Sequence, residues 1–539
     1  MSDTALTQTP AGAQQQPQSG RLRHNPWAIA MTVTLATFME VLDTSIANVA
    51  LPHIAGSLAA SIDESTWVLT SYLVANGIVL PISGWMSGLI GRKRFYMTCV
   101  ALFTVSSFLC GLAPNLALLI FFRILQGAGG GGLQPSEQSI LADTFPPEQF
   151  GMAFAVYGMA IVLAPAIGPT LGGWITDNFT WRWVFFINVP VGVCSLLLSY
   201  RMVEDPPYLK RQMREMCRDL SMDYLGLALV AIGLGCMQVV LDKGQEKDWF
   251  GSRFITSLTI ASAIALILFV IQELRHRQPV LELGLLRRPT FAIANGMMFL
   301  LGVMLYGTTV LIPLYLQEIM GYTAQQAGMA LSPGGLVIMV LMPIVGWMLT
   351  RLDARWLIAF GFGSMSIAFY HMTNLDLGID FTTAMMYRIY QSIGLAFLFV
   401  PINTMSYVGI PREKSREVSS LVNLCRNVGG SIGISLVTTM LARRAQFHQH
   451  RLVANVNPDS GALRSTLAGL NSRLLRHGVS GPDAAHHAYG MVYARLQVQS
   501  NVQAYIDILW LFAVVSLCAV PLVFVMRKAV PGAARAAAH

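Results

Sequence analysis

From Trp27 to Met526 the chain repeats one pattern, a long apolar run followed by a short polar and often basic interruption. A helix that crosses the hydrocarbon core of a bilayer needs about 20 such residues, because its backbone polar groups must all be satisfied within the segment. The runs fall at residues 27–49, 66–90, 95–113, 116–141, 151–175, 183–200, 223–241, 254–273, 290–313, 326–349, 356–373, 382–407, 415–440 and 503–526. The pattern therefore predicts an all-α integral membrane protein with 14 spans.

Two motifs recur along these runs. PISGWM (Pro81 to Met86) closes the second run and returns as PIVGWM (Pro343 to Met348) at the close of the tenth, 262 residues on. RILQGAG (Arg123 to Gly129) in the fourth returns as RIYQSIG (Arg388 to Gly394) in the twelfth, 265 residues on. Two echoes at nearly one offset predict two six-helix bundles with two helices inserted between them, a parallel repeat that secondary transporters use to build a path between halves. The expected boundaries are a disordered cytoplasmic tail at 1–25, the first bundle at 26–201, a cytoplasmic loop at 202–222 and the inserted pair at 223–275. The second bundle follows at 286–526, with an outward loop at 441–502, and then a tail at 527–539.

Composition agrees: 54% of residues are hydrophobic and 12% charged, against about 25% charged in soluble domains. The formal charge of +8 would suit nucleic acid, but its placement does not. With the N-terminus inside, the inward segments hold about 22 Lys and Arg and the outward ones about 11, most of those in the one long loop. Both termini are thus expected in the cytoplasm, with no cleavable leader. Seven cysteines show no disulfide or metal spacing. The five histidines of the outward loop (His448, His450, His477, His486 and His487) read either as metal ligands or as solvated polar residues.

Gly127, Gly129 and Gly132 fit the spacing of a dinucleotide-binding loop. That loop needs a preceding strand, and here the glycines lie in a membrane helix, so they read as a close-packing face instead. Charge inside the membrane is costly and marks function or pairing. Glu40 and Asp43 share a face of the first run. Asp43 stands about six residues before the outer end of its run and Arg123 about seven after the outer start of its own, so at 1.5 Å per residue they lie at one level. The pair reads as a proton-exchanging site or as a structural clamp. Glu40 either lines a cavity that meets cationic substrates or reaches toward water. Glu137 reads as interfacial, and Arg388 and Arg426 as structural. The fifth run, with Gly158, Pro165, Gly168, Pro169, Gly172 and Gly173, reads as a tight hinge seam or a merely kinked helix.

These residues also carry a resemblance. LDTSIANVALP (Leu42 to Pro52), the loop from Gly84 through Gly91 and Arg92 to Arg94, Arg123 to Gly130, GPTLGG (Gly168 to Gly173) and NLCRNVGGSIG (Asn423 to Gly433) together resemble the 14-span drug:proton antiporters of the major facilitator superfamily, EmrB/QacA type, and most closely the EmrB-type pumps of Gram-negative inner membranes. The resemblance implies proton coupling through Asp43, Glu40 and Arg123, and a substrate cavity lined by Glu40, Asn76, Gln126, Tyr306 and Asn403. It implies gating through Gly84, Gly91, Arg92, Pro165, Gly168, Pro169, Gly172 and Gly173, with no cofactor and no enzymatic step. One departure stands out: Gly88 occupies a loop position where an acidic residue is common in the family.

Implied partners are small hydrophobic or cationic drugs, protons, membrane lipids, a periplasmic adaptor of the EmrA type and an outer-membrane channel of the TolC type. The outward loop would dock the adaptor, or stand as a partnerless disordered segment. Export of a metabolite, siderophore or fatty acid is the alternative within the fold, and a non-transporting sensor the alternative outside it. A membrane hydrolase lacks a base at membrane depth, His371 lying at the end of its run.

Overall fold

The computed structural model describes residues 25–205, 209, 223–276, 279–454, 456–457 and 460–528. The expected tails, apart from Asn25, Arg527 and Lys528, and most of the 202–222 loop lie outside the described residues, Cys217 among them. The described chain is built from helices: α1 (Pro26–Ser57), α2 (Trp67–Ile90), α3 (Arg92–Leu112), α4 (Leu116–Gly130), α5 (Leu133–Thr144), α6 (Phe150–Asn178), α7 (Asn188–Met202), α8 (Tyr224–Lys243), α9 (Arg253–Arg275), α10 (Pro289–Leu314), α11 (Ala324–Met348), α12 (Ala354–Met372), α13 (Phe381–Ser406), α14 (Ser415–Ala454), α15 (Gly461–Arg476) and α16 (Gly481–Val523). Each of the fourteen apolar runs lies on one of these helices or on a pair of them in line.

Polar residues between runs act as helix caps. The side chain of Asn25 accepts from Trp27 N, Asn115 from Leu118 N and Asp380 from Thr383 N, while Thr323 and Gln326 form a reciprocal capping box. Among the described residues, twelve segments are long and apolar enough to cross a membrane. The two runs outside that set lie on α12 and α14. The membrane-level part of α14 is rich in small and polar residues because protein rather than lipid surrounds it: Ser419, Asn423, Arg426, Gly429 and Gly430 are all buried.

The first six runs pack together as α1–α7 and the last six as α10–α16. The halves meet where α6 lies along α11 and where α14 lies against α2 and α5. The inserted hairpin leans on both: Gly235 of α8 faces Ile78 of α2, and Ser431 of α14 donates to Gln238 of α8 at 2.7 Å.

The glycine run works by close approach. α4 is wedged between α2 and α3, and a Cβ at Gly129 would stand 2.7 Å from the Phe103 backbone nitrogen, while one at Gly127 would strike the Tyr72 carbonyl. Around Gly131 and Gly132 the helix breaks before resuming as α5.

One boundary differs from the sequence reading. The outward segment at 441–502 is helical over nearly all its length, with α14 running on to Ala454, α15 lying on α16, and α16 starting at Gly481. Apolar periodicity ends where lipid ends, but the helical hydrogen-bond ladder continues because α14 and α16 hold each other. Asp507 of α16 accepts from Arg444 at 2.5 Å and lies 2.7 Å from His448, and Gln449 donates to Tyr493 at 3.1 Å.

Candidate functional site

Asp43 on α1 and Arg123 on α4 form an ion pair at 2.6 Å with neither side chain exposed. Gln126 donates to Asp43 at 3.0 Å and accepts from Arg123 at 2.9 Å, and Asn188 donates to Asp43 at 2.7 Å. Arg123 also donates to the Val68 carbonyl at 3.0 Å and lies 4.3 Å from the centre of the Tyr72 ring. A charge taken from water needs this kind of enclosure, because it is stable only when its lone pairs and protons are met. Gln126, expected on the cavity wall, is thus enclosed with the pair. One turn on from Arg123, the helix returns the glutamine to the same carboxylate.

Glu40 lies one turn below Asp43 and is also buried. Asn76 donates to it at 3.0 Å, Gln134 at 3.1 Å and Tyr72 at 3.5 Å. Gln134 is shared: its carbonyl oxygen accepts from Arg426, which reaches across from α14. Arg426 donates further to Asn423 at 2.7 Å and to Tyr157 at 3.5 Å. Below it, Asn423 donates to Gln138 at 2.8 Å, and Gln138 donates to Asn403 at 3.3 Å. Tyr306 packs its ring on Gly430, one turn from Arg426. Glu40, Asn76, Tyr306 and Asn403 therefore lie on one polar network that crosses between the halves.

Sequence reasoning missed Gln134, Gln138, Asn188, Asn423 and Tyr157, and read Arg426 as merely structural. The repeat itself carries one signal. Gln138 and Asn403 are 265 residues apart, so the offset of the arginine motif places them at equivalent points of the two halves. Glu137 is not interfacial. It is fully buried, because α5 runs through the core beside α1 rather than along the membrane surface, and the Thr37 hydroxyl donates to it.

At the basic end of the bundle, Gly91 takes φ 93, a left-handed turn that favours glycine, and so starts α3 with Arg92 pointing inward. Arg92 donates to the Ser139 carbonyl at 3.1 Å and pairs with Asp143, while Ser415 at the start of α14 donates to Asp143 at 3.3 Å. Asp143 thus provides a carboxylate linking the halves at the end where Gly88 lacks one. Ser420 donates to the Leu80 and Pro81 carbonyls at 3.1 Å each, and Gly84 packs on Arg416 and Ser420. A Cβ on Gly151 of α6 would stand 2.9 Å from the Gly346 carbonyl oxygen of α11. This end is sealed.

The proline- and glycine-rich helix α6 presents one face to α1, with Gly168 on Ser45 and Gly172 on Ile46, and the Pro165 carbonyl accepts from Ser45 at 3.4 Å. Another face meets the second half, where Gly158 approaches Phe399 and Thr170 approaches Gly328. Pro169 also lies beside Gly328, whereas Gly173 faces open space and is not required for packing.

Comparison with known proteins agrees with this architecture. The sequence profile of the Major Facilitator Superfamily matches residues 33–434. Multidrug export protein EmrB of Escherichia coli (strain K12) is 38% identical over 446 residues, covering 82% of this chain and 86% of that protein. Fatty acid resistance protein FarB of Neisseria gonorrhoeae is 37% identical over 451 residues, covering 84% and 87%. Among solved structures, the proton:xylose symporter XylE shares the fold, with a TM-score of 0.56 at 14% identity over 93% of this chain and 96% of that one. A matched profile over most of the chain and relatives of this identity and coverage leave one conclusion: the chain belongs to the major facilitator superfamily.

Proposed function

We propose that the chain is a proton-driven multidrug exporter, moving amphipathic, apolar or cationic compounds out of the cell by alternating access between its halves. On this reading it lies in a bacterial inner membrane with fourteen spans and both termini in the cytoplasm, and the contacts between the halves at the basic end support a state closed toward that side. The observation that carries it is the enclosed Asp43–Arg123 pair beside a polar network linking the halves. A carboxylate held ionised by an arginine in one state and released from it in another loads and unloads a proton. The magnitudes suffice: one charge crossing about 150 mV releases roughly 3.5 kcal/mol, and an about hundredfold gradient of neutral solute costs about 2.7 kcal/mol. Kinship with EmrB supports drugs as substrates. The helical projection of α14, α15 and α16, with exposed Tyr489, Met491 and Tyr493, supports docking of a periplasmic adaptor and, through it, an outer-membrane channel.

A second reading, export of fatty-acid-like amphiphiles, is favoured by one observation. Arg426 reaches the interface between the halves with no carboxylate among its hydrogen-bond partners Gln134, Asn423 and Tyr157.

Everted membrane vesicles test the main reading. Asp43→Asn is expected to abolish transport driven by a pH gradient while the protein still inserts. Driven transport at the wild-type rate in that variant would remove Asp43 from the mechanism. A wild-type protein that pumps equally well after the gradient is dissipated would remove proton coupling altogether.

A further inference from the structure

Asp43, Glu40, Thr37 and Thr34 descend α1 at three-residue steps, and all are buried. At 1.5 Å per residue the series spans about 13 Å along α1, winding part-way round it from the level of the arginine toward the basic end. Glu137 meets the series from the side. Its Oε2 accepts from the Thr37 hydroxyl, and its Oε1 is buried with no hydrogen-bond partner. Six residues further along α5 lies Asp143, in the seal with Arg92 and Ser415. Glu137 therefore stands between the central network and the cytoplasmic seal.

The surroundings of Glu137 are those of an acid and not of an ion pair. The titratable groups facing it are Glu40 from α1, Tyr96 from α3 and Tyr157 from α6, with Arg426 of α14 lying beyond Tyr157. Among the described residues no lysine, arginine or histidine forms an ion pair with it. Burying an unpaired carboxylate charge is costly. Tyr96 also faces the hydroxyls of Ser195 and Ser199, so the pocket holds groups that both give and take hydrogen bonds. A third buried carboxyl, beyond Asp43 and Glu40, has no use in a simple clamp between Asp43 and Arg123.

We infer that Glu137 is a further proton-carrying carboxyl, held by Thr37 one turn of α1 from Glu40, that passes protons between the central network and the cytoplasmic seal. The inference rests on the proton-coupled reading above. In the transfer the proton leaving the Glu40 carboxyl is gained by the Glu137 carboxylate, so nothing else is consumed. When the Arg92–Asp143–Ser415 seal opens, Glu137 is the first buried acid that cytoplasmic water reaches and the point at which the proton is released.

The test uses full-length protein in proteoliposomes with ethidium as the probe. It compares wild type, Glu137→Gln, Glu137→Asp and Thr37→Val in two assays: ethidium uptake driven by a pH gradient across a range of pH, and ethidium counterflow at equal pH, which needs no net proton movement. Glu137→Gln should lose driven uptake by about tenfold or more and keep counterflow within about twofold of wild type. Thr37→Val should show a smaller loss of the same kind, and Glu137→Asp should restore driven uptake with a shifted pH profile. Driven uptake by Glu137→Gln at the wild-type rate and with the wild-type pH profile would overturn the inference while leaving proton coupling intact. Loss of both activities in Glu137→Gln, with Thr37→Val unaffected in both, would overturn it by showing a structural role. Wild-type counterflow without any driven uptake would sink the proton-coupled reading itself, and this inference with it.

Discussion

The two halves carry the same arginine–glutamine pair and fill its third corner differently. In the first half Arg123 donates to Gln126, and Gln126 donates to Asp43 at 3.0 Å. In the second, Arg388 donates to Gln391 at 2.7 Å, and Gln391 donates to Thr308, also at 2.7 Å. Each of the three residues lies 265 positions after its counterpart. Helix geometry sets the i, i+3 spacing of the pair and the repeat sets its partner helix, so the scaffold is common. Chemistry differs at one side chain: a carboxylate in the first half, a hydroxyl in the second. Each arginine keeps one buried nitrogen without a hydrogen-bond partner, Nη2 in Arg123 and Nε in Arg388. The comparison teaches that duplication provides the frame, and that one acidic residue gives one half a buried ion pair where the other has a neutral hydroxyl.

The largest consequence concerns the arginines. Arg123→Ala leaves the Asp43 charge buried and unpaired, which is expected to cost about 3–5 kcal/mol. Arg388→Ala removes hydrogen bonds to a neutral amide and relieves an uncompensated charge, so its cost should stay within about 1–3 kcal/mol. Thermal unfolding of both variants in detergent checks the difference. Equal losses would break the comparison, because the carboxylate would then add nothing to the first half.

A smaller asymmetry separates two repeat-related glycines. Gly129 and Gly394 are also 265 apart. A Cβ at Gly129 meets backbone on the neighbouring helix, 2.7 Å from Phe103 N and 2.9 Å from Cys99 O, whereas at Gly394 the first atom met is the Cγ of Met365 and the backbone, Gly361 O and Met365 N, follows at 3.0 Å. Gly129→Ala should cost about 1–3 kcal/mol by overpacking and Gly394→Ala less. The same unfolding measurement decides, and a costlier Gly394 would show that methionine cannot yield there.

How far such features were legible in the sequence depends on what fixed them. The membrane helices were readable because lipid imposes a length and an apolar surface, and Asp43 and Arg123 were placed at one level by counting residues from the ends of their runs. Gln134, Asn423 and Arg426 were not read together, because their meeting depends on how α14 rotates against α5, which no local pattern encodes. Glu137 was misplaced for a related reason. Depth along a helix can be counted, but whether a side chain faces lipid, solvent or protein is decided by its neighbours. The segment at 441–502 read as a loop because its helices are held by contacts such as Arg444 with Asp507 rather than by lipid.

The smallest expected effect is also the most direct test of the missing corner. Thr308→Asp places a carboxylate where the second half lacks one, within reach of Gln391 and on the side of the helix facing Arg388. A buried pair is stabilising only when its geometry and remaining hydrogen bonds are good, and here the desolvation of Arg388 is already present in the native protein. The new charge therefore neutralises one that exists, and the variant should gain about 1 kcal/mol, read as a small rise in unfolding temperature. Combined with Asp43→Asn it should not restore transport driven by a pH gradient, because the second half has no equivalent of Glu40: 265 residues on from it stands Leu305, which is buried and apolar. Recovery of driven transport in that double variant would show that either half can host the proton, and that position in the chain, not the network around Asp43, is what the protein leaves free.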